Sequence, residues 1–177
     1  DLVHGSRLVR LHNVFRAQPI MALDYLIELF QGPVWLDVAR VAHTPIDLRY
    51  VITNYATGLA EYVRPAADEV FTAMRASCAL PGLYPPVDIR GRHFVDGALR
   101  RTMHASVVLD HGIDLMLGIN PLVPFNASRT ADEDDRLARG GLPVVLSQTF
   151  RTLLQSRMQV GLGKYAQQYP GTDQLVF

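Results

Sequence analysis

The stretch that decides the fold is "RASCALPGLYPPVDIRGRHFVDGALRR", residues 75–101. A run with helical spacing ends before Pro81, because proline cannot continue a helix. Two short apolar segments follow at residues 87–89 and 93–95, and the turn-forming sequence Arg90-Gly91-Arg92 separates them. The pattern predicts a helix followed by two short strands that are joined by a tight turn.

The second of these strands ends on a carboxylate, Asp96, which is followed by the two very small residues Gly97 and Ala98. Gly97 can adopt a positive φ angle at no steric cost, and Ala98 would let another backbone approach closely. If the chain turns sharply after Asp96, we expect Gly97 to have either a positive φ angle or a close backbone neighbour. Asp-Gly is a common turn dipeptide, so the residues by themselves favour a simple turn. A carboxylate at a strand end is also where open α/β sheets present functional groups, which leaves a catalytic base as the second interpretation.

On both sides of this segment, predicted strands and helices alternate along the chain. The predicted elements are a helix at 20–30, a hairpin within 46–64, a helix from Asp68 to Pro81, the two strands above, a helix at 102–110, a strand at 113–120, a helix at 143–168 and a final strand in "DQLVF". The strand at 113–120 is almost wholly apolar, which is typical of a strand buried on both faces of a parallel sheet. The alternation predicts an α/β layered fold.

Composition narrows the class of protein. The 177 residues include 49% hydrophobic and 19% charged residues, which is typical of a globular chain. Seventeen basic residues balance seventeen acidic ones, so the charge does not indicate a nucleic-acid binder. The single cysteine, Cys78, cannot form an internal disulfide, and no Cys/His cluster has zinc spacing. No apolar run reaches the roughly 20 residues that span a bilayer. These features leave the compartment undetermined.

Three ordered segments within residues 46–120 carry a family resemblance. They are "VITNYATGLAEYVRP", "AMRASCALPGLYPPVDIRGRHFVDGAL" and "HGIDLMLGINP". Together they resemble the C-terminal half of the catalytic domain of patatin-like phospholipases, and the tail from Gly140 is similar to bacterial members. The resemblance implies a patatin-like layered sandwich with a mostly parallel central sheet. Residues 1–177 would then form the C-terminal part of a single catalytic domain.

The resemblance also implies a function, which is hydrolysis of lipid acyl esters by a Ser-Asp dyad. It assigns the dyad aspartate to Asp96, with Gly97 and Ala98 supporting the motif. The carboxylate would take the serine proton during attack and return it to the leaving alcohol. An aspartate with an ordinary pKa near 4 is a weak base, so partial burial would have to raise its pKa. The family implies no metal and no organic cofactor. The implied partners are a lipid or membrane-surface ester and the upstream part of the same protein, with no nucleic acid.

The sequence departs from the family in lacking the nucleophile elbow Gly-x-Ser-x-Gly and the glycine-rich oxyanion loop. None of the six serines (Ser6, Ser77, Ser106, Ser128, Ser147 and Ser156) stands in such an elbow. We therefore expect both motifs upstream of residue 1, and we expect this segment to be inactive alone. The alternative is a non-catalytic lipid-binding or scaffolding member of the same fold. A nucleotide-binding module is disfavoured because no Gly-x-Gly-x-x-Gly or P-loop is present.

Two further groups of residues allow a functional and a structural interpretation. Arg64, Arg75 and Arg157 could meet a phosphate head group, although ion pairs with surface carboxylates are the favoured prediction. Several apolar residues could line an acyl pocket, but a place in the core is favoured for each of them. They are Leu80, Leu83, Tyr84, Phe94 and Phe125.

Overall fold

The structure is a computed structural model of the chain that describes residues 23–32, 35–81, 83–121 and 139–177. The chain divides into two compact units, the first of which ends at Arg100 and the second of which begins at Arg101. Helices and sheets occur together, so the predicted α/β class is confirmed. That residues 1–177 belong to a single catalytic domain remains a prediction.

Within the described residues, the first unit contains a four-stranded sheet and three α-helices. In chain order the elements are α1 (Leu23–Gln31), α2 (Val38–Ala42), β1 (Tyr50–Asn54), β2 (Ala60–Val63), α3 (Val70–Ser77), β3 (Val87–Ile89) and β4 (Arg92–Asp96). The strands lie in the order β2-β1-β4-β3, and every neighbouring pair is antiparallel. The predicted hairpin within 46–64 and the strand pair around residues 90–92 are both confirmed.

Local turn chemistry explains why these strands reverse direction where they do. The side chain of Asn54 accepts two backbone hydrogen bonds from the following turn, each 3.0 Å long. Gly58 completes this turn with a φ of +67°. Between β3 and β4, Arg90 and Gly91 have φ values of +55° and +77°. Two positive φ angles match the right-handed twist of the flanking strands, so the hairpin can close over two residues.

The core of the first unit lies between α3 and the sheet. Its buried members are Ile52, Ala76, Ala79, Val87 and Phe94. The buried face of α3 consists of Val70, Ala73 and Ala76. Successive strand residues point to opposite faces, yet Phe94 and Val95 are 2% and 1% exposed. The end of β4 is therefore covered on both faces.

The second unit is smaller and contains a parallel strand pair. Its elements are α4 (Ser106–Leu109), β5 (Leu115–Gly118), α5 (Gly141–Gln168) and β6 (Asp173–Val176). Strands β5 and β6 pair in parallel, from Leu115 opposite Asp173 to Gly118 opposite Val176. The mostly parallel sheet is thus found only in part, because the strand pairs described in the first unit are all antiparallel.

The core of the second unit covers one face of this strand pair. Ala105, Leu109, Met116 and Tyr165 are its buried members. Alternate residues of β5, Leu115 and Leu117, are 50% and 63% exposed. The prediction that this strand is buried on both faces is therefore wrong for the described residues, because side chains cover only the face that carries Met116. None of the described helices has both the length and the apolar character needed to cross a bilayer.

Candidate active site

The predicted base, Asp96, is the last residue of the interior strand β4. It lies opposite Ile52 of β1, and β3 flanks β4 on the other side. The backbone N–H of Asp96 donates a 2.9 Å hydrogen bond to the carbonyl oxygen of Ala79, just beyond α3. The strand end is therefore held from two sides, by the sheet ladder and by the segment after the helix.

The Asp96 side chain caps the turn that follows the strand. Its Oδ1 accepts a 2.8 Å hydrogen bond from the backbone N–H of Ala98. Residues Gly97–Leu99 form a short 3-10 turn, which the Arg100 N–H closes on the Gly97 carbonyl at 3.1 Å. The predicted Asp-Gly-Ala turn is present, and it fixes the orientation of the carboxylate relative to the strand.

Position 97 requires a glycine because there is no space for a side chain, and not because the φ angle is positive. The glycines that the structure describes with positive φ are Gly58, Gly91, Gly112 and Gly141, so a positive φ does not explain Gly97. A β-carbon on Gly97 would instead lie 2.7 Å from the Val51 carbonyl oxygen. Of the two alternatives predicted for Gly97, a positive φ angle or a close backbone neighbour, the second is confirmed.

Burial raises the pKa of the Asp96 carboxyl from 3.8 to about 6, and the hydrogen bond from Ala98 opposes this rise. Within the described residues, no Lys, Arg or His nitrogen lies within 4.0 Å of the carboxylate. No cation in the described part of the chain therefore offsets the cost of removing this charge from water. The carboxylate has the raised pKa that the proposed chemistry needs.

The Cys78 thiol is electrostatically coupled to the Asp96 carboxylate, and two tyrosines are in turn coupled to that thiol. Partial desolvation and then the charge of Asp96 raise the pKa of the Cys78 thiol. Desolvation, followed by a smaller effect of Cys78, likewise raises the pKa of Tyr50 and of Tyr84. Asp96 and Cys78 thus both have raised pKa values chiefly because they are partly removed from water.

Sequence reasoning did not identify Val51, Cys78 or Ala79 as part of this site. Cys78 and Ala79 do stand in the stretch that decides the fold, but no pattern shows that the chain folds back from Asp96 to Ala79. The candidate pocket residue Phe94 is a core residue, as favoured, and Tyr84 packs against the same core. Phe125 lies outside the described residues.

The serines that the structure describes do not complete a dyad with Asp96. The hydrogen bond from Ala98 is the one that the carboxylate accepts in the described part of the chain, so no serine hydroxyl there donates to it. Ser77 ends α3, whereas Ser106, Ser147 and Ser156 belong to the second unit. Ser6 and Ser128 lie outside the described residues. Among the residues described, no three His, Cys, Asp or Glu side chains are grouped closely enough to hold a metal ion.

Comparison with family models matches residues 6–109 to the family described as Patatin-like phospholipase. The match covers more than half of the 177 residues and includes the β4 strand end. The chain belongs to the patatin-like phospholipase family. A search of curated proteins finds no match to the chain.

Membership in the patatin-like family confirms the predicted resemblance and supports lipid hydrolysis as the general activity. It does not test the individual residues. The roles of Asp96, Gly97 and Ala98 in this patatin-like chain remain predictions.

Proposed function

We propose that this chain supplies the general base, Asp96, of a Ser-Asp dyad that hydrolyses lipid acyl esters. The observation that carries the proposal is the state of the carboxylate at the end of β4, where burial raises its pKa to about 6. At pH 7 such a group is mostly ionised, yet it accepts a proton far more readily than an exposed aspartate does.

The two oxygens of this carboxylate can have different roles, one in orienting the group and one in accepting the proton. Oδ1 accepts the N–H of Ala98, whereas Oδ2 accepts no hydrogen bond from any residue that the structure describes. An orienting bond on one oxygen leaves the second oxygen to face a hydroxyl group. Because Asp96 pairs with Ile52 of β1 and its N–H donates to the Ala79 carbonyl oxygen, the strand end is held in place, as direct proton transfer requires.

The reaction then has two halves. In the first, a serine Oγ forms a bond to the ester carbonyl carbon, and its proton passes to the Asp96 carboxylate. The bond to the leaving alcohol breaks, and the alcohol oxygen receives that proton. In the second half, water gives a proton to the carboxylate, attacks the acyl-serine and releases the fatty acid, and the proton returns to the serine.

We propose that the serine and the oxyanion donors belong to an upstream part of the same protein. None of the six serines in the chain stands in a Gly-x-Ser-x-Gly elbow, and no glycine-rich oxyanion loop is present in the sequence. The substrate class is a lipid or membrane-surface ester, as the family suggests.

The test is Asp96→Asn in the protein that includes its upstream part, with turnover of a short-chain nitrophenyl ester as the readout. We expect kcat/KM to fall about 100-fold or more, because asparagine has nearly the same shape but cannot accept a proton. Asp88→Asn is the matched control, since Asp88 is an exposed aspartate on β3 of the same sheet. We expect it to retain activity within about twofold.

Equal turnover by Asp96→Asn and the unmodified protein contradicts the assignment of the base. No turnover by the unmodified protein, together with intact binding to lipid vesicles, supports the alternative of a non-catalytic lipid-binding member.

A further inference from the structure

The second unit contains a cavity of about 710 Å³ that is not part of the site around Asp96. The segment leading into α4 forms one wall, and the C-terminal half of α5 forms the other. Three of its lining side chains are cations, namely Arg101, Arg157 and Lys164, and four others carry hydroxyl groups. None of the lining residues that the structure describes is Asp or Glu. The cavity therefore combines positive charge with hydrogen-bond donors.

Arg101 is held at the cavity by neutral groups rather than by a carboxylate. Its Nη1 donates to the Ser106 Oγ at 3.3 Å and to the hydroxyl of Tyr165 at 3.5 Å. Tyr165 is only 7% exposed, so it gives the guanidinium a fixed point of contact. Hydroxyl oxygens orient the guanidinium without neutralising it, so its charge acts on whatever enters the cavity.

Other arginines of the chain have a different environment. Arg64 pairs with Asp47 at 3.0 Å, and Arg75 pairs with Asp24 at 2.9 Å, which confirms the ion pairs predicted for both. Across the described ranges, by contrast, no carboxylate oxygen lies within 4.0 Å of a side-chain nitrogen of Arg101 or Lys164. Arg101 and Lys164 are thus distinguished from the arginines that form surface ion pairs.

The spacing of the residues on α5 suits an anion several ångströms wide. Arg157, Gly161 and Lys164 follow one another at intervals of four and three residues, so they share one face of the helix. At a rise of about 1.5 Å per residue, the two cations originate about 10 Å apart along the axis. Gly161 has no side chain between them, and a β-carbon there would meet nothing within 4 Å. The two cations therefore flank open space.

The remaining walls are apolar. Met103, Met158 and Val160 line the cavity beside the charged groups, and Met158 is 5% exposed. Methionine adapts its shape to irregular apolar ligands. A bare inorganic ion would leave these side chains unused, whereas an anion attached to an organic group would contact them.

We propose that this cavity binds a phosphate ester, in which the phosphate oxygens contact Arg101 and Lys164 and the organic part contacts the methionines. Guanidinium groups bind phosphate through paired N–H donors, and hydroxyl groups complete its coordination. The ester is either a phospholipid head group or a free phosphorylated molecule, since both present the same chemistry. The site lies wholly within the second unit, so it stands independently of the base proposed at Asp96.

The first experiment measures the Kd of the full chain for sn-glycerol 3-phosphate by calorimetry, and in parallel its binding to phosphatidylcholine vesicles with and without phosphatidic acid. Arg101→Gln combined with Lys164→Gln is expected to raise the Kd about tenfold or more, because both charge-assisted contacts are lost. Arg151→Gln is the matched control, since Arg151 belongs to α5 but does not line the cavity. We expect it to change the Kd by less than about twofold.

A second pair of variants fills the cavity without removing any charge. Gly161→Leu places a side chain between Arg157 and Lys164, and it is expected to raise the Kd at least about fivefold by exclusion. Gly163→Leu is its control, because Gly163 belongs to the same helix, is equally open and does not line the cavity. Both changes favour the helix, since leucine has a higher helix propensity than glycine. If Gly161→Leu loses binding and Gly163→Leu does not, the loss results from the filled cavity and not from unfolding.

Binding of glycerol phosphate alone supports a free phosphorylated ligand, and binding to the vesicles with phosphatidic acid supports a head group. Either result supports the proposal when it depends on Arg101, Lys164 and Gly161. The proposal is overturned if neither probe binds, or if the control variants lose as much affinity as the cavity variants.

Discussion

Gly97 lies so close to Val51 of the neighbouring strand that a β-carbon would be 2.7 Å from the Val51 carbonyl oxygen and 2.8 Å from one of its γ-carbons. The contact is with backbone as well as side chain, so the neighbour cannot simply rotate away. It joins the turn after β4 directly to β1, and it therefore determines where the preceding residue, Asp96, can lie.

This contact predicts that Gly97→Ala damages both stability and activity. The added methyl group has to displace β1 or the turn, which typically costs about 1–3 kcal/mol. The displacement moves Asp96, and a shift of about 1 Å in a reacting group can reduce turnover by about 100-fold. Chemical denaturation and ester hydrolysis measure the two effects.

Ala98→Gly is the control for that variant, because it keeps the backbone N–H that donates to Asp96 and adds no atoms. We expect it to keep most of the activity and to lose less than about 1 kcal/mol of stability. An equal effect of the two substitutions would show that the contact with Val51 is not what restricts position 97.

The pH dependence of ester hydrolysis should follow the ionisation of Asp96. The base must be deprotonated to accept the serine proton, and burial raises its pKa to about 6. We therefore expect kcat/KM to rise with pH, with a midpoint near 6, and to level off above it. A midpoint near 4 would indicate that the carboxyl is as solvated as a surface aspartate, which contradicts its desolvation.

The same raised pKa predicts that Asp96→Asn stabilises the fold in a pH-dependent way. The folded carboxyl binds its proton more tightly than the unfolded one, with a pKa of about 6 against 3.8. The stabilisation that this tighter proton binding provides is therefore fully present below the unfolded pKa of 3.8. It is lost as the pH rises through the folded pKa of about 6. At 1.36 kcal/mol per pKa unit, the loss at pH 7.5 is up to about 3 kcal/mol.

Asparagine avoids this loss, so the substitution should raise the free energy of unfolding by about 1–3 kcal/mol at pH 7.5 and by little near pH 4. Urea unfolding at the two pH values measures the difference. Other carboxyl groups titrate equally in both proteins and cancel in the comparison. Equal stability at pH 7.5 would show that ionised Asp96 carries no desolvation cost.

The 177-residue chain by itself should have no esterase activity. An aspartate without an activated serine cannot form an acyl-enzyme, and none of the six serines in the chain stands in an elbow sequence. A fluorophosphonate probe, which labels activated serines, is expected to leave the chain unlabelled. Specific labelling of any of these serines, together with turnover, would show that the nucleophile lies within the chain.

Much of the fold could be predicted from local pattern. The short strands at residues 87–89 and 93–95 and the turn between them match β3 and β4, because β-branched and apolar residues alternate with turn formers there. The long helix α5 and the last strand were also predicted. Helix 102–110 was overestimated, since only Ser106–Leu109 is α-helical. Helix ends depend on packing and capping, which periodicity does not report.

At the candidate site, local sequence is enough to predict that a carboxylate ends a strand and is followed by a tight turn, because strand propensity and the Asp-Gly-Ala run are local properties. The surroundings of that carboxylate depend on the tertiary fold. The bond from its N–H to Ala79, the contact of Gly97 with Val51 and the burial that raises the pKa of Asp96 all join segments distant in sequence. The same holds for β5, whose apolar residues predicted burial on both faces, whereas Leu117 is 63% exposed. The composition of a segment shows which side chains can be buried, whereas three-dimensional packing determines which of them are buried.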